Sequence, residues 1–170
     1  MQDAELLRSW LSRVGLLKQR LESAPNATVP EFRFLTEEDW LNVTRERIET
    51  ELDYRKAMSA LRNAAERKFG SILQGALRQY IQANNSQSPT DLSQLIPYFE
   101  SPPDAAVLQR WQIAPADRVP NIRVGNENWI VTQNASPVDE DYDSRLVFGP
   151  FGMGSKPYKA ETTTAATNGK

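Results

Sequence analysis

The densest run of groups able to do chemistry is Val138-Asp139-Glu140-Asp141-Tyr142-Asp143. Aspartates at 139, 141 and 143 repeat the spacing at which a calcium loop presents its first three oxygen ligands. Carboxylates suit Ca²⁺ because it is a hard cation that takes about six to eight oxygens. The remainder of that template is not met. Ser144 stands where the sharp-turn Gly belongs, and Pro150 where a bidentate Glu is needed. Two readings stay open: a calcium site on Asp139, Asp141 and Asp143, or a solvated acidic turn whose charge is met by Arg145 or another base.

Other reactive patterns are thinner. Glu37, Glu38 and Asp39 could pair as acid and base for hydrolysis, but negative charge at a helix N-terminus explains them as well. Gly70-Ser71 and Gly154-Ser155 lack the flanking glycines of a nucleophile elbow, and with no His in the chain nothing of that type activates a serine. Gly149-Pro-Phe-Gly-Met-Gly is glycine-rich but is followed by neither Lys-Ser/Thr nor a helix, so it reads as a flexible strand end and not a phosphate cradle. Trp40, Trp111 and Trp129 are expected as core anchors and not as a ligand platform. The sequons at Asn26, Asn42 and Asn134 carry no weight, since chance supplies such matches.

Composition narrows the classes further. The 170 residues contain neither Cys nor His, which removes thiol chemistry and Cys/His zinc sites. The net charge is −2, and the most basic stretch, Arg45 to Lys68, is diluted by Glu46, Glu49, Glu51, Asp53 and Glu66. A nucleic-acid partner, which needs a basic patch to displace counterions, is not expected. No apolar run approaches the ~18 residues of a membrane span. A membrane would be met only through an anchor that this sequence does not contain.

The elements that must position these groups are mostly helical. Gln2 to Ser23 carries Leu7, Trp10, Val14, Leu17 and Leu21 at alternating steps of three and four, the seam of a coiled coil. It reads either as a helix packed on its own domain or as a stalk. Pro25 and Pro30 break the next stretch, where Phe32 and Phe34 suggest a short extended piece. Thr36 and Asp39 open a helix, with Thr50 and Asp53 either capping a fresh start or continuing it. One long amphipathic helix then spans roughly Arg47 to Asn84, its apolar face running from Tyr54 to Ile81. Gly70 and Gly75 inside it suggest close approach by a neighbour, and Asn84-Asn85 suits a left-handed stop. Ser88-Pro-Thr-Asp and Ser101-Pro-Pro-Asp open two short helices, the first facing Leu92, Leu95 and Ile96 inward and the second burying Val107, Leu108 and Trp111. Val119, Ile122 and Val124, a Gly125-Asn126 turn, and Trp129 to Val131 predict a hairpin. Arg145 to Phe148 adds a third strand, and residues 155–170 are expected to be disordered.

The run Leu77 to Phe99, in which a helix ends in Tyr-Ile-Gln-Ala-Asn-Asn and passes through Ser-Pro-Thr-Asp to paired leucines, is similar to the helix exit of bacterial type II secretion pseudopilins and type IV pilin-like proteins. The short helices and small sheet beyond it also resemble the pilin globular domain, so the resemblance covers about residues 55–154. It implies an α+β, predominantly helical fold: a long helix, short helices and an antiparallel sheet of about three strands. Some pseudopilins bind calcium on a loop of the sheet region, which the resemblance would carry onto Asp139, Asp141 and Asp143. One departure is plain. A pilin begins with a strongly apolar half-helix, whereas here the charged stretch Glu37–Asp53 and another helix precede. The whole chain also resembles bacterial membrane-anchored proteins with a coiled-coil stretch and this kind of terminal domain, which implies architecture and no activity.

The expected organisation is therefore an N-terminal helix and linker over 1–35, a body over 36–154 and a tail over 155–170. The expected function is a non-enzymatic protein-interaction or structural module of a bacterial envelope protein. Its partners would be proteins, met through self-association of the N-terminal helix or through an exposed strand edge. The alternative is a cytoplasmic adaptor or regulatory domain of the same fold. A periplasmic or extracytoplasmic setting is preferred, and an apolar segment of ~20 residues upstream in the full gene product would support it.

Overall fold

A computed structural model describes residues 1–159. The chain is α+β: helices α1 (Gln2–Ser23), α2 (Glu37–Val43), α3 (Glu51–Ala83) and α4 (Ala105–Leu108), then strands β1 (Trp111–Pro115), β2 (Trp129–Gln133), β3 (Ser144–Phe148) and β4 (Met153–Pro157). It forms two compact units, and the division falls inside α3, after Glu66. The boundary expected at residue 35 is thus displaced, because α1 and α2 share a core with the first turns of α3.

In the first unit that core consists of Leu17, Leu21, Ala57, Met58 and Leu61, with Phe32, Trp40, Val43 and Tyr54 packed against it. Leu17 and Leu61 are fully buried, each contributing about 1.5–3 kcal/mol of apolar transfer. Local chemistry sets the helix ends. At α2 the Thr36 amide donates to Asp39 Oδ2 at 2.7 Å, and the Asp39 amide donates back to Thr36 Oγ1 at 3.4 Å. α3 makes a fresh start by the same device, with the Thr50 and Glu49 amides donating to Asp53 Oδ2 at 2.9 and 3.0 Å. The orphan carbonyls after α2 are taken by Arg13, whose Nη1 donates to Thr44 at 2.8 Å and to Glu46 at 3.2 Å. Phe32 and Phe34 lie in a 3₁₀ turn, Pro30–Phe34, and not in an extended piece. Pro30 occupies its start, where a fixed φ favours helical geometry.

The second unit is an antiparallel meander in the order β1-β2-β3-β4, one strand more than the sequence suggests. Residues directly opposite share a face. The pairings Ile113↔Val131 and Val131↔Phe148 place Trp111, Val131, Leu146 and Phe148 on one side. α3 lies on that side. The Phe69 ring sits 5.8 Å from Trp111, which sits 6.0 Å from Phe148. Gly70 brings the helix backbone so close that a Cβ there would stand 2.6 Å from Leu146 Cδ2, whereas Gly75 has nothing within 4 Å. α3 ends as expected, with Asn85 at φ +53° and the Ser86 amide donating to the Ile81 carbonyl at 2.9 Å.

Several expectations fail in this unit. Trp111 is buried as expected, but as part of the sheet. It opens β1, and α4 stops at Leu108. Val119, Ile122 and Val124 form no strand, because β2 takes β1 as its partner in the register Trp111↔Gln133 to Pro115↔Trp129. Those apolar residues instead fold over the sheet's second face, against Ala114, Ile130 and Val147. With both faces covered, Ile130 to Gln133 are all buried, which removes the alternation that marks a one-sided strand. Finally, Ser155 to Pro157 belong to β4, paired with β3 from Ser144↔Pro157 to Phe148↔Met153. The remaining tail, 160–170, lies outside the described residues. Ile96, expected inward, is exposed, while Leu92 and Leu95 are buried.

Candidate functional site

The acidic loop between β2 and β3 is built by its own carboxylates. Asp143 is buried at 5% exposure, and its Oδ2 accepts from the Val138 amide at 3.0 Å and the Asp139 amide at 3.1 Å. Asp139 Oδ1 accepts from the Asp141 amide at 3.1 Å. Asp141 meets Lys159 Nζ at 3.2 Å, so one base that meets the loop's charge is Lys159. The Arg145 guanidinium lies 4.8 Å from the centre of the Tyr158 ring, and its Nη1 donates to the Gln133 carbonyl at 3.0 Å. Among the described residues no three His, Cys, Asp or Glu side chains converge so as to hold a metal ion. The structure therefore brings Asp139, Asp141 and Asp143 into one loop but engages them with amides and a lysine, the geometry of an Asx-type turn.

The other residues singled out by type are likewise occupied locally. Asp39 belongs to the α2 cap. Ser71 Oγ donates to the Arg67 carbonyl at 3.1 Å, a helix back-bond. Gly149 to Gly152 form a tight turn closed by the Gly149 amide on the Gly152 carbonyl at 3.0 Å, and Gln74 Nε2 holds both carbonyls of that turn, at 2.9 and 3.2 Å. Trp111 is a core residue at 3% exposure, whereas Trp40 and Trp129 are only half-buried.

Two polar clusters lay beyond sequence reasoning. Gln133 is buried, and its Oε1 accepts from the Leu146 amide at 2.8 Å, while Thr132 Oγ1 donates to the Leu146 carbonyl at 2.7 Å. These side chains satisfy β3 where the backbone ladder between β2 and β3 has lapsed. In the first unit Arg62 is 2% exposed and donates to the Ala27 carbonyl and to Ser59 Oγ, both at 2.9 Å. Glu31 is fully buried in the same unit. An Arg on the inward face of a long helix was the available signal, since a buried charge needs dedicated partners.

α1 changes character along its length. Val14, Leu17 and Leu21 are buried in the first unit's core, whereas Leu6, Leu7 and Leu11 are 48, 46 and 51% exposed. Of the seam's first half, Leu7 is exposed while Trp10 is half-buried, with the Arg45 guanidinium 5.8 Å from its ring centre; Leu6, Leu11 and Leu16 flank the seam on the surface. Acids Asp3 and Glu5 occupy the first turn, where they suit the helix dipole, and Arg8 lies one turn later. Two further carboxyls are perturbed, both at helix starts. Backbone amides of Thr50 and Glu49 hold the Asp53 carboxyl below its ordinary value, and the Ser93 side chain and amide do the same for Asp91.

No helix among the described residues is long and apolar enough to cross a membrane. Compared with known proteins, the chain matches no family model, no curated protein and no solved structure.

Proposed function

We propose that this chain is a non-enzymatic protein-interaction module of a bacterial envelope protein, pilin-like in its second unit, and that α1 engages a second copy of itself. The observation that carries the reading is the switch along α1, from the buried Val14, Leu17 and Leu21 to the exposed Leu6, Leu7 and Leu11. Leu7 and Leu11, four residues apart, are neighbours on one helix face with Leu6 on its flank, an apolar patch that a partner surface would cover. Covering three half-exposed leucines per copy gains about 1 kcal/mol each, against several kcal/mol of lost rigid-body freedom. A weak, reversible dimer is expected.

The sheet edges are poorer candidates for a partner. β4 carries Lys156 and Pro157 and β1 ends in Pro115, residues that blunt an edge against further strand pairing. Support for the pilin-like part comes from a long helix laid along an antiparallel meander, with short helices between. Support for a non-enzymatic role comes from the Asp39, Asp139 and Asp143 carboxylates, each engaged by backbone amides.

Sedimentation equilibrium of the full chain beside a Leu7→Lys/Leu11→Lys variant tests the contact. Deleting residues 1–24 would not serve, because Leu17 and Leu21 are core. A concentration-dependent dimer that the double variant abolishes supports the proposal, and a wild-type monomer at every concentration overturns it. Membrane and soluble fractionation of the full gene product decides between the envelope setting and a cytoplasmic adaptor.

A further inference from the structure

The connection between β1 and β2 borders an open cleft of about 710 Å³, lined by residues between Ala116 and Ile130. That volume falls within the ~300–1,000 Å³ of small-molecule sites. The connection is long for a segment whose only regular element is one 3₁₀ turn, a property that marks functional loops. Its frame is fixed at several points. The Ala116 amide donates to the Asn128 carbonyl at 2.9 Å and closes the base. Lys156 Nζ donates to the Pro120 carbonyl at 2.8 Å. Gly152 admits the Val124 carbonyl so closely that a Cβ there would lie 2.2 Å from its oxygen. The concavity is therefore pre-formed, which spares a ligand the cost of ordering the loop.

Along this fixed frame Asp117, Asn121 and Arg123 are exposed and Glu127 is half-buried. Asp117, Asn121, Arg123 and Glu127 make no ion pair or side-chain hydrogen bond with another described residue. Trp129 lines the same cleft, half-buried at the start of β2. The set narrows the ligand chemistry. One guanidinium beside two carboxylates leaves the lining slightly negative, which disfavours phosphate and other anions. Two carboxylates without a converging third do not meet the oxygen count of a divalent cation. With those two classes set aside, the donors and acceptors of the lining suit a neutral molecule rich in hydroxyls. The carboxamide of Asn121 both donates and accepts, Arg123 donates, the carboxylates accept, and the Trp129 ring offers a flat apolar face. We propose that this cleft binds a neutral oligosaccharide, a function separate from self-association through α1.

The test is saturation-transfer NMR on the full chain with chitotriose, cellotriose and maltotriose at millimolar concentration. The variants are Arg123→Ala and Asn121→Gly, the second chosen because Asn121 has φ +65°, a conformation Gly adopts freely. At least one sugar is expected to bind, with affinity about tenfold weaker in each variant, the loss of roughly one hydrogen bond. The urea midpoint of each variant is expected to match wild type. Inorganic phosphate and Ca²⁺ are expected not to displace the sugar. The proposal is overturned if none of the three sugars binds, if both variants bind as wild type does, or if phosphate or Ca²⁺ competes.

Discussion

Gly70 and Gly75 sit in the same helix, five residues apart, and the structure gives them opposite fates when a methyl group is added. In a helix interior Ala is better than Gly by about 0.8–1 kcal/mol. At Gly75 a Cβ enters open space, so Gly75→Ala is expected to stabilise by nearly that whole amount. At Gly70 the new Cβ stands 2.6 Å from Leu146 Cδ2, with Phe148 Cε1 at 3.6 Å and Met153 Cε at 3.8 Å behind it. Leu146 is 4% exposed, so its retreat must displace other core atoms, at an overpacking cost of about 1–3 kcal/mol. Gly70→Ala is therefore expected to range from neutral to about 2 kcal/mol destabilising, leaving the pair about 1–3 kcal/mol apart. Urea unfolding monitored by far-UV circular dichroism and by tryptophan emission measures both, since Trp111 contacts Phe69 beside the substitution. If both alanine variants stabilise equally, α3 does not lie on β3, and the account of the second unit fails.

The same geometry sets the other expected outcomes. Carbon-detected NMR titration should find the Asp53 and Asp91 carboxyls below their ordinary value, because amide donors, and for Asp91 the Ser93 side chain, favour the ionised form. Their contribution to stability is then present above the unfolded value and lost as pH falls through the folded one, so Asp53→Asn should flatten that part of the acid-unfolding curve. Asp143→Ala leaves two backbone amides without their acceptor and should cost about 1–3 kcal/mol, equally in Ca²⁺ and in chelator. A loss confined to the Ca²⁺ sample would restore the metal reading of this loop. Arg62→Ala should destabilise the first unit by about 1–3 kcal/mol in the same urea assay, since it leaves the Ala27 carbonyl and the Ser59 hydroxyl without their buried donor, and a loss below about 0.5 kcal/mol would contradict its burial.

Local capping was legible in the sequence and tertiary partnership was not. Thr36/Asp39, Thr50/Asp53 and Asn85 announce helix ends because side chain and amide meet within a few residues. The span of α1 was readable for the same reason, through its seam of leucines. β1 was not: Trp-Gln-Ile-Ala-Pro becomes a strand only because Gln133 to Trp129 lie beside it. The alternation of Val119, Ile122 and Val124 mimicked a strand because a loop covering a sheet must also send apolar residues one way. β4, Met-Gly-Ser-Lys-Pro, carries little apolar signal because it is an edge. In the acidic loop the spacing of Asp139, Asp141 and Asp143 was visible, but whether the oxygens face an ion or the loop's own amides is decided by the backbone.

The most direct test of self-association through α1 exploits the absence of cysteine, since one Ser12→Cys substitution accepts a single nitroxide label per chain. In an antiparallel pair centred on Leu6 and Leu7, the two labelled positions are offset by about 16 Å along the axis and by about 8–10 Å between axes. Double electron–electron resonance should then report an intermolecular distance near 20 Å, before the reach of the labels, and Leu7→Lys/Leu11→Lys should erase it. A flat background at concentrations where sedimentation finds dimer would place the contact elsewhere and contradict the role assigned to α1.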